Sequence, residues 1–238
     1  MDCGGKHQFV SRHSEPGEYF MILHKEIGKL KQQLLALGAL VEERLNKSVK
    51  AVDKRDLELA QQIIEGDCEV DALEVDLEED CLKVLALHQP VAIDLRLIMA
   101  VMKINIDLER IGDLAVDIAD RARYFATHEE VTLPFDFLGM SRKAQDMLQK
   151  SLDALVNLDI ELARKVCAAD DAVDDMHSSM FQKVEQAIQA QPQYVEQFIS
   201  YLSVSRYLER IADHATNIAE DVIYLVEGQI VRHSGGMY

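Results

Sequence analysis

The sequence contains very few residues that interrupt helices. Of its 238 residues only 4 are proline and 11 are glycine, tryptophan is absent and aromatic residues make up 6%. Apolar residues nonetheless account for 48% of the chain, which is enough to form a buried core and excludes a disordered protein. A composition this poor in helix breakers predicts an all-α fold.

Basic residues, cysteines and long apolar runs are also scarce. A formal net charge of −17 would repel a phosphate backbone, so we expect no binding to nucleic acid. The 4 cysteines show no C-x-x-C spacing, which argues against a zinc knuckle or a disulfide framework and fits a reducing compartment. The most apolar stretch, residues 84–102, is interrupted by charged residues, and residues 1–17 lack the apolar core of a signal peptide. The sequence therefore predicts a cytoplasmic protein without membrane insertion.

The chain contains an internal repeat. Residues 108–119 recur as residues 208–219 with eight of twelve positions identical. Upstream, residues 56–60 match residues 159–163, and Asp67 and Asp71 match Asp170 and Asp174. The offset between the copies changes by only a few residues, so the repeat extends over about a hundred positions.

Each copy reads as three long helices. Asp56 and Asp159 stand at expected N-caps, and Pro90 and Pro192 stand at expected helix starts. We predict six long helices that form a tandem repeat of two antiparallel three-helix bundles with pseudo-two-fold symmetry. The predicted helices span residues 18–53, 56–88, 91–127, 137–156, 159–190 and 192–228. The predicted domains are an N-terminal tail at 1–17, a first repeat at 18–128, a second repeat at 134–229 and a C-terminal tail at 230–238.

The third helix of each repeat has an apolar stripe and an acidic ladder. The stripe runs from Ile104 to Ala122 in the first copy and from Val204 to Val222 in the second, with the alternating spacing of a core face. The ladders lie on one face at helical spacing, which we expect to point away from the core. They comprise Glu109, Asp113, Asp117 and Asp120 in the first copy and Glu209, Asp213, Asn217 and Glu220 in the second.

The ladders have two interpretations. The simpler one is solvated surface, in which Arg110 and Arg210 neutralise neighbouring carboxylates. The other is a multinuclear metal site, because like charges four residues apart repel and the preceding helix offers further carboxylates. His177 and His214 could join the second site. The candidate metal ligands are Glu109, Asp113, Asp117, Glu209, Asp213 and Asn217, with Asp71 and Asp174 as weaker candidates. Because Asn217 replaces Asp117, we expect the first site to hold its ion more tightly, unless His214 or His177 compensates in the second.

The motifs of common enzyme classes were not found. The sequence contains no phosphate-binding loop, dinucleotide fingerprint or nucleophile elbow, and no Glu-x-x-His pair of a di-iron protein. A regulator that acts by binding partners is therefore favoured over an enzyme. A carboxylate-bridged metalloenzyme and a purely structural helical scaffold remain alternatives.

The repeated Leu-Glu-Arg-Ile-x-Asp segments resemble the PhoU family. Glu109-x-x-x-Asp113 and Glu209-x-x-x-Asp213 match its E/D-x-x-x-D motif, and residues 89–96 match the segment that opens its third helix. The resemblance covers about residues 20–228, although residues 191–196 lack the Asp-Leu-Arg of the first copy. It implies two three-helix bundles and a cytoplasmic negative regulator of phosphate uptake. It also implies a link between the phosphate ABC transporter and a sensor histidine kinase, a homodimer, and in some members iron or zinc clusters on the acidic motifs.

Overall fold

The protein is an all-α molecule, as the sequence predicts. The computed structural model describes residues 16–132 and 136–228. The helices are α1 (Pro16–Lys54), α2 (Leu57–Glu65), α3 (Cys68–His88), α4 (Ile93–Thr127), α5 (Phe137–Asn157), α6 (Ile160–Ala190) and α7 (Val195–Glu227), with a 3-10 turn at Pro192–Tyr194. Six of them have 21 residues or more, which confirms the six long helices. The predicted tails, residues 1–17 and 230–238, lie almost wholly outside the described residues.

The two repeats are α1 to α4 and α5 to α7. The apolar stripes of α4 and α7 are buried throughout, from Ile104 to Ala122 and from Val204 to Val222, which confirms that they form the core. Polar residues interrupt every helix outside these faces. In the described part of the chain, no helix has an apolar run long enough to cross a bilayer.

The second helix of each repeat begins at an aspartate N-cap, as predicted. The side chain of Asp56 accepts a hydrogen bond from the Leu59 amide at 3.0 Å, and that of Asp159 accepts one from the Leu162 amide at 3.0 Å. The third helices, α4 and α7, begin at Ile93 and Val195, each three residues after the predicted proline start. The caps therefore fix the start of α2 and α6 in the same register.

The second helix differs between the repeats. The sequence predicts one helix over residues 56–88, but the structure divides it at Gly66 and Asp67, whereas α6 is continuous. Glycine lowers the cost of interrupting a helix. The Gly66 carbonyl accepts hydrogen bonds from the Glu69 amide, at 3.1 Å, and from the guanidinium of Arg44 in α1. The second repeat has Ala169 at the matching position, next to Asp170.

Helices α4 and α7 pack against each other in opposite directions and join the two repeats. Lys103 Nζ lies 3.2 Å from Asp221 Oδ1 near one end of the pair. The rings of Phe125 and Tyr201 stack at the other end, with centroids 3.9 Å apart. Since α4 and α7 are equivalent helices of the two repeats, the pseudo-two-fold axis passes between them.

Candidate metal centres

The first candidate centre lies where α3 passes α4. One carboxylate oxygen from each of Asp67, Asp71 and Asp113 can be chosen so that all three lie within 4.8 Å of one another. Asp67 precedes the first residue of α3, and Asp71 lies one turn later on the same face. The helix-to-helix packing therefore adds the Asp113 carboxylate of α4 to an acidic edge of α3. We call these three residues the first acidic cluster.

The second repeat contains the equivalent arrangement. Carboxylate oxygens of Asp170, Asp174 and Asp213 also lie within 4.8 Å of one another. The first two belong to α6 and the third to α7, at the positions that match the first acidic cluster. A surface hollow of about 470 Å³ opens beside it and is lined in part by Glu209, Asp213 and His177. We call Asp170, Asp174 and Asp213 the second acidic cluster.

Burial and the charge of neighbouring carboxylates raise the pKa of Asp67, Asp170 and Asp213. Burial, followed by the charges of Asp213 and Asp174, raises the pKa of Asp170 to about 6. Burial also raises the pKa of Asp67, with Asp71 and Asp113 adding to the shift and Arg44 opposing it. The pKa of Asp213 is raised chiefly by burial and then by Glu209. A cation beside either cluster would remove this penalty.

The glutamates predicted as ligands lie at the edges of the clusters. Burial and the charge of Asp113 raise the pKa of Glu109, and burial and Asp174 raise that of Glu209. Arg110 forms an ion pair with Glu109, at 3.4 Å, rather than with Asp113. Both glutamates are half-buried and remain close enough to supply a further oxygen if the clusters bind a metal.

The third predicted position of each ladder faces the other repeat. Asn217 donates a hydrogen bond to Asp107 Oδ1 of α4 at 3.2 Å, and the charge of Arg210 of α7 acts on Asp117. The reason is geometric, because each step of four residues turns the side chain by about 40° around the helix. Asp117 is not among the carboxylates that converge within 4.8 Å, although the charge of Asp113 acts on it, and the expectation that the first site is the tighter one stays a prediction.

The two histidines have hydrogen-bond partners elsewhere. His214 Nδ1 lies 2.8 Å from Asp107 Oδ1 in the contact between α4 and α7. His177 Nδ1 lies 2.8 Å from the hydroxyl oxygen of Ser205, and burial lowers the pKa of its imidazole. Both rings are thus oriented by other groups, so their second ring nitrogens are the atoms left to meet a ligand.

Asp67 and Asp170 are central to the clusters, although the sequence analysis did not count them as candidate ligands. The available signal was the repeat itself, because the two aspartates match each other in register. Arg44 was missed as well. Its signal was a charged residue at the core spacing of α1, between Val41 and Leu45, and its side chain is only 7% exposed.

The clusters fit a hard cation. The Oδ1 atoms of Asp67 and Asp170 are buried and poorly satisfied: Arg44 Nη1 lies 3.8 Å from the first, beyond hydrogen-bond distance, and the Asp170 carboxyl interacts with the Thr216 side chain. A buried carboxylate oxygen that is poorly satisfied is costly unless a cation coordinates it. The donors are all carboxylates, which suit iron(III), manganese or magnesium better than zinc, since zinc favours nitrogen and sulfur.

Proteins of known family match both repeats. The PhoU domain matches residues 34–122 and 137–222. The phosphate-specific transport system accessory protein PhoU homolog of Aquifex aeolicus is 39% identical over 213 residues, which cover 90% of this chain and 96% of that protein. The homolog of Pseudomonas aeruginosa is 38% identical over 211 residues, covering 88% of this chain and 87% of that protein.

Solved structures show the same architecture. The crystal structure of PhoU from Pseudomonas aeruginosa superimposes with a TM-score of 0.83 at 37% identity, covering 87% of this chain and 99% of that one. The phosphate transport system regulatory protein PhoU from Streptococcus pneumoniae superimposes with a TM-score of 0.80 at 28% identity, covering 90% and 99%. With two domain matches in register and relatives aligned over nearly their whole length, the chain belongs to the PhoU family.

Proposed function

We propose that the protein is a cytoplasmic negative regulator of phosphate uptake and of the phosphate-starvation response. In this role it links the phosphate ABC transporter to a sensor histidine kinase. The observation that carries the proposal is the match of both repeats to the PhoU domain, with relatives named as accessory proteins of phosphate-specific transport. The proposed mode of action is binding rather than catalysis.

An exposed apolar corner supports a role in protein binding. At the turn between α3 and α4, Leu87 and Val91 are each 76% exposed and Ile93 is 66% exposed. We call these three residues the α3–α4 corner. Adjacent exposed apolar side chains at a helix turn are typical of surfaces that bind another protein. The net charge of −17 favours partners with basic loops.

Two of the cysteines, Cys81 and Cys167, are unsuited to nucleophilic chemistry. Burial raises the pKa of the Cys81 thiol to about 12 and that of Cys167 to about 11. At neutral pH both are protonated, and a thiol is a poor nucleophile compared with a thiolate. This supports the proposal that the protein is not an enzyme.

We also propose that the protein forms a homodimer.

We further propose that the two acidic clusters bind metal ions. A bound hard cation would neutralise carboxylates held together on neighbouring helices and would stabilise the packing of α3 on α4 and of α6 on α7. Asp67, Asp71 and Asp113 would hold the cation of the first repeat, and Asp170, Asp174 and Asp213 that of the second. Such an ion acts as a structural element of each helix bundle.

Deletion and complementation test the regulatory role. We expect a strain without the gene to express a phosphate-starvation reporter in phosphate-rich medium, and the wild-type gene to restore repression. A Val91→Asp/Ile93→Asp variant should fold normally but fail to repress, because it places charge in the α3–α4 corner.

Val156→Asp on α5 is the matched control, since Val156 is 56% exposed on another surface. It should repress like the wild type. Reporter expression that stays low in the deletion strain would contradict the regulatory proposal. Full repression by the Val91→Asp/Ile93→Asp variant would contradict the proposed binding surface.

A further inference from the structure

A buried arginine, Arg44, lies beside the first acidic cluster. The guanidinium of Arg44 has its Nη1 atom 3.8 Å from Asp67 Oδ1 and its Nη2 atom 3.4 Å from Glu69 Oε2. It also donates to the carbonyl of Gly66, which accepts a second hydrogen bond from the Glu69 amide at 3.1 Å. The side chain is 7% exposed, so this positive charge is largely shielded from water and acts strongly on its neighbours.

The second repeat has a methionine at the matching position. Arg44 and Met147 each lie twelve residues before the N-cap aspartates that begin the second helix of their repeat, Asp56 and Asp159. Met147 is buried at 2% exposure. A methionine carries no charge, so it cannot supply the counter-charge that Arg44 brings to the first cluster.

The backbone beside the clusters differs in the same way. Gly66 and Ala169 are the matching residues that precede Asp67 and Asp170. The helix is interrupted at Gly66, where Arg44 binds the carbonyl, and continuous at Ala169. The first repeat therefore has a buried arginine bound to the backbone beside its three carboxylates, while the second has a buried methionine at the matching position and only an exposed arginine, Arg210, acting on Asp213.

We infer that Arg44 acts as a built-in counter-cation at the first acidic cluster, so that the second acidic cluster is the tighter site for a hard metal cation. The inference rests on the proposed binding of metal ions by these clusters. At the first cluster an incoming cation meets the fixed positive charge of Arg44, which is buried and acts on Asp67. At the second cluster the charges of His214 and Arg210 act on Asp213, but Arg210 is exposed to water, and among the described residues no buried arginine or lysine faces Asp170. The acidic ladders of the sequence predict the reverse order, with the first site the tighter one.

The test uses full-length protein stripped of metal and titrated with Mn²⁺, with binding followed by calorimetry and by the loss of the free-ion EPR signal. We expect one tight site and one site weaker by more than about tenfold, the effect of one extra unit charge at close range. Asp170→Asn should remove the tight site, and Asp67→Asn should leave it intact.

Exchanging the residue types of Arg44 and Met147 gives a matched pair of variants. Arg44→Met should strengthen the weaker site by about tenfold or more, and Met147→Arg should weaken the tight site by a similar factor. Arg44→Gln, which keeps polar atoms near Gly66, serves if Arg44→Met unfolds. Circular dichroism and melting temperature establish that each variant is folded.

Two kinds of result would overturn the inference, and each would have a different meaning. Two sites of equal affinity in the wild type, or a tight site lost in Asp67→Asn and kept in Asp170→Asn, would refute the role of Arg44 alone. A wild type that binds no Mn²⁺ at either cluster would refute the proposed metal binding together with the inference. Neither result depends on the reporter experiment, which tests the regulatory proposal.

Discussion

Asp170 shows how a single side chain makes stability depend on pH. Its raised pKa of about 6 means that the folded protein holds the proton more firmly than the unfolded chain, whose aspartates have a pKa near the ordinary 3.8. The carboxyl therefore stabilises the fold at pH below the unfolded value, and this contribution is lost as the pH rises through about 6. At neutral pH the metal-free protein carries an unfavourable charge there.

The first prediction is that Asp170→Asn stabilises the metal-free protein. The amide has nearly the same shape but no charge, so at about pH 7.5 the free energy of unfolding should rise by about 1 to 2 kcal/mol after allowance for partial exposure. The gain should shrink as the pH falls toward about 4.5, where the wild-type carboxyl is protonated in the fold. Urea unfolding followed by circular dichroism measures both values.

The control for this prediction is Asp175→Asn, an exposed position on the same helix that should change stability by less than about 0.5 kcal/mol. In the presence of saturating Mn²⁺ the sign should reverse, because the variant loses a ligand that the ion stabilises. An Asp170→Asn protein that is less stable than wild type without metal would show that the carboxylate is satisfied by the protein itself.

At the scale of the helix, the interruption between α2 and α3 depends on a contact from another helix. Gly66 has an ordinary helical backbone, with φ of −81° and ψ of −2°, so an alanine could adopt the same conformation. A Cβ atom added there would lie 3.2 Å from the Gln62 carbonyl oxygen and 3.3 Å from Arg44 Nη2, both closer than such atoms normally approach. The glycine therefore leaves room for the guanidinium and for the Gln62 carbonyl, and is not needed for the backbone angles.

The second prediction is that the effect of Gly66→Ala depends on Arg44. In the wild type, the gain in helix propensity of up to about 1 kcal/mol is offset by displacement of a charged hydrogen bond worth about 1.5 to 3 kcal/mol. In an Arg44→Met background the loss of the charged hydrogen bond no longer counts, and only the close contact with the Gln62 carbonyl opposes the gain. The two backgrounds should thus differ by about 1 to 2 kcal/mol in the free energy of unfolding, measured as a double-mutant cycle. A coupling energy near zero would contradict the contact described here.

Helix periodicity was sufficient to locate most elements from the sequence. The predicted ends of the helices lie within about three residues of the observed ones, because apolar stripes, aspartate caps and prolines act locally. The interruption at Gly66 could not be predicted, since it requires an arginine 22 residues away. Likewise, helical spacing identified Asp113 and Asp213 but could not show that Asp67 and Asp170 meet them, because the crossing of two helices decides which side chains converge.

At the scale of the whole molecule, the antiparallel pair of α4 and α7 connects the two cores. Asp221 is almost fully buried in this contact and pairs with Lys103, while Asp107 accepts from Asn217 and lies beside His214. Neither α4 nor α7 can unfold without exposing the apolar stripe of its own repeat and its contact with the other. The repeats should therefore unfold together.

The third prediction is a single unfolding transition for both repeats. Because the chain has no tryptophan, Leu82→Trp in α3 and Phe181→Trp in α6 give one fluorescent probe per repeat at exposed positions. Both probes should report the same urea midpoint. Adding Asp221→Asn should lower the free energy of unfolding by about 2 kcal/mol, since Lys103 loses its ion-pair partner but remains partly hydrated. Both urea midpoints should fall by the same amount. Midpoints that separate would show that each repeat is an independent unit.

The pairing of equivalent helices across a pseudo-two-fold axis has a consequence for how the molecule can change. In a dimer of identical chains, each substitution occurs twice and alters both halves at once. Here the two halves are covalently joined, so a substitution in one half leaves the other as it was. Arg44 and Met147 are such a divergence, made without disturbing the shared seam. A chain of two fused repeats can thus keep a symmetric contact between them while the surroundings of its two acidic clusters become different.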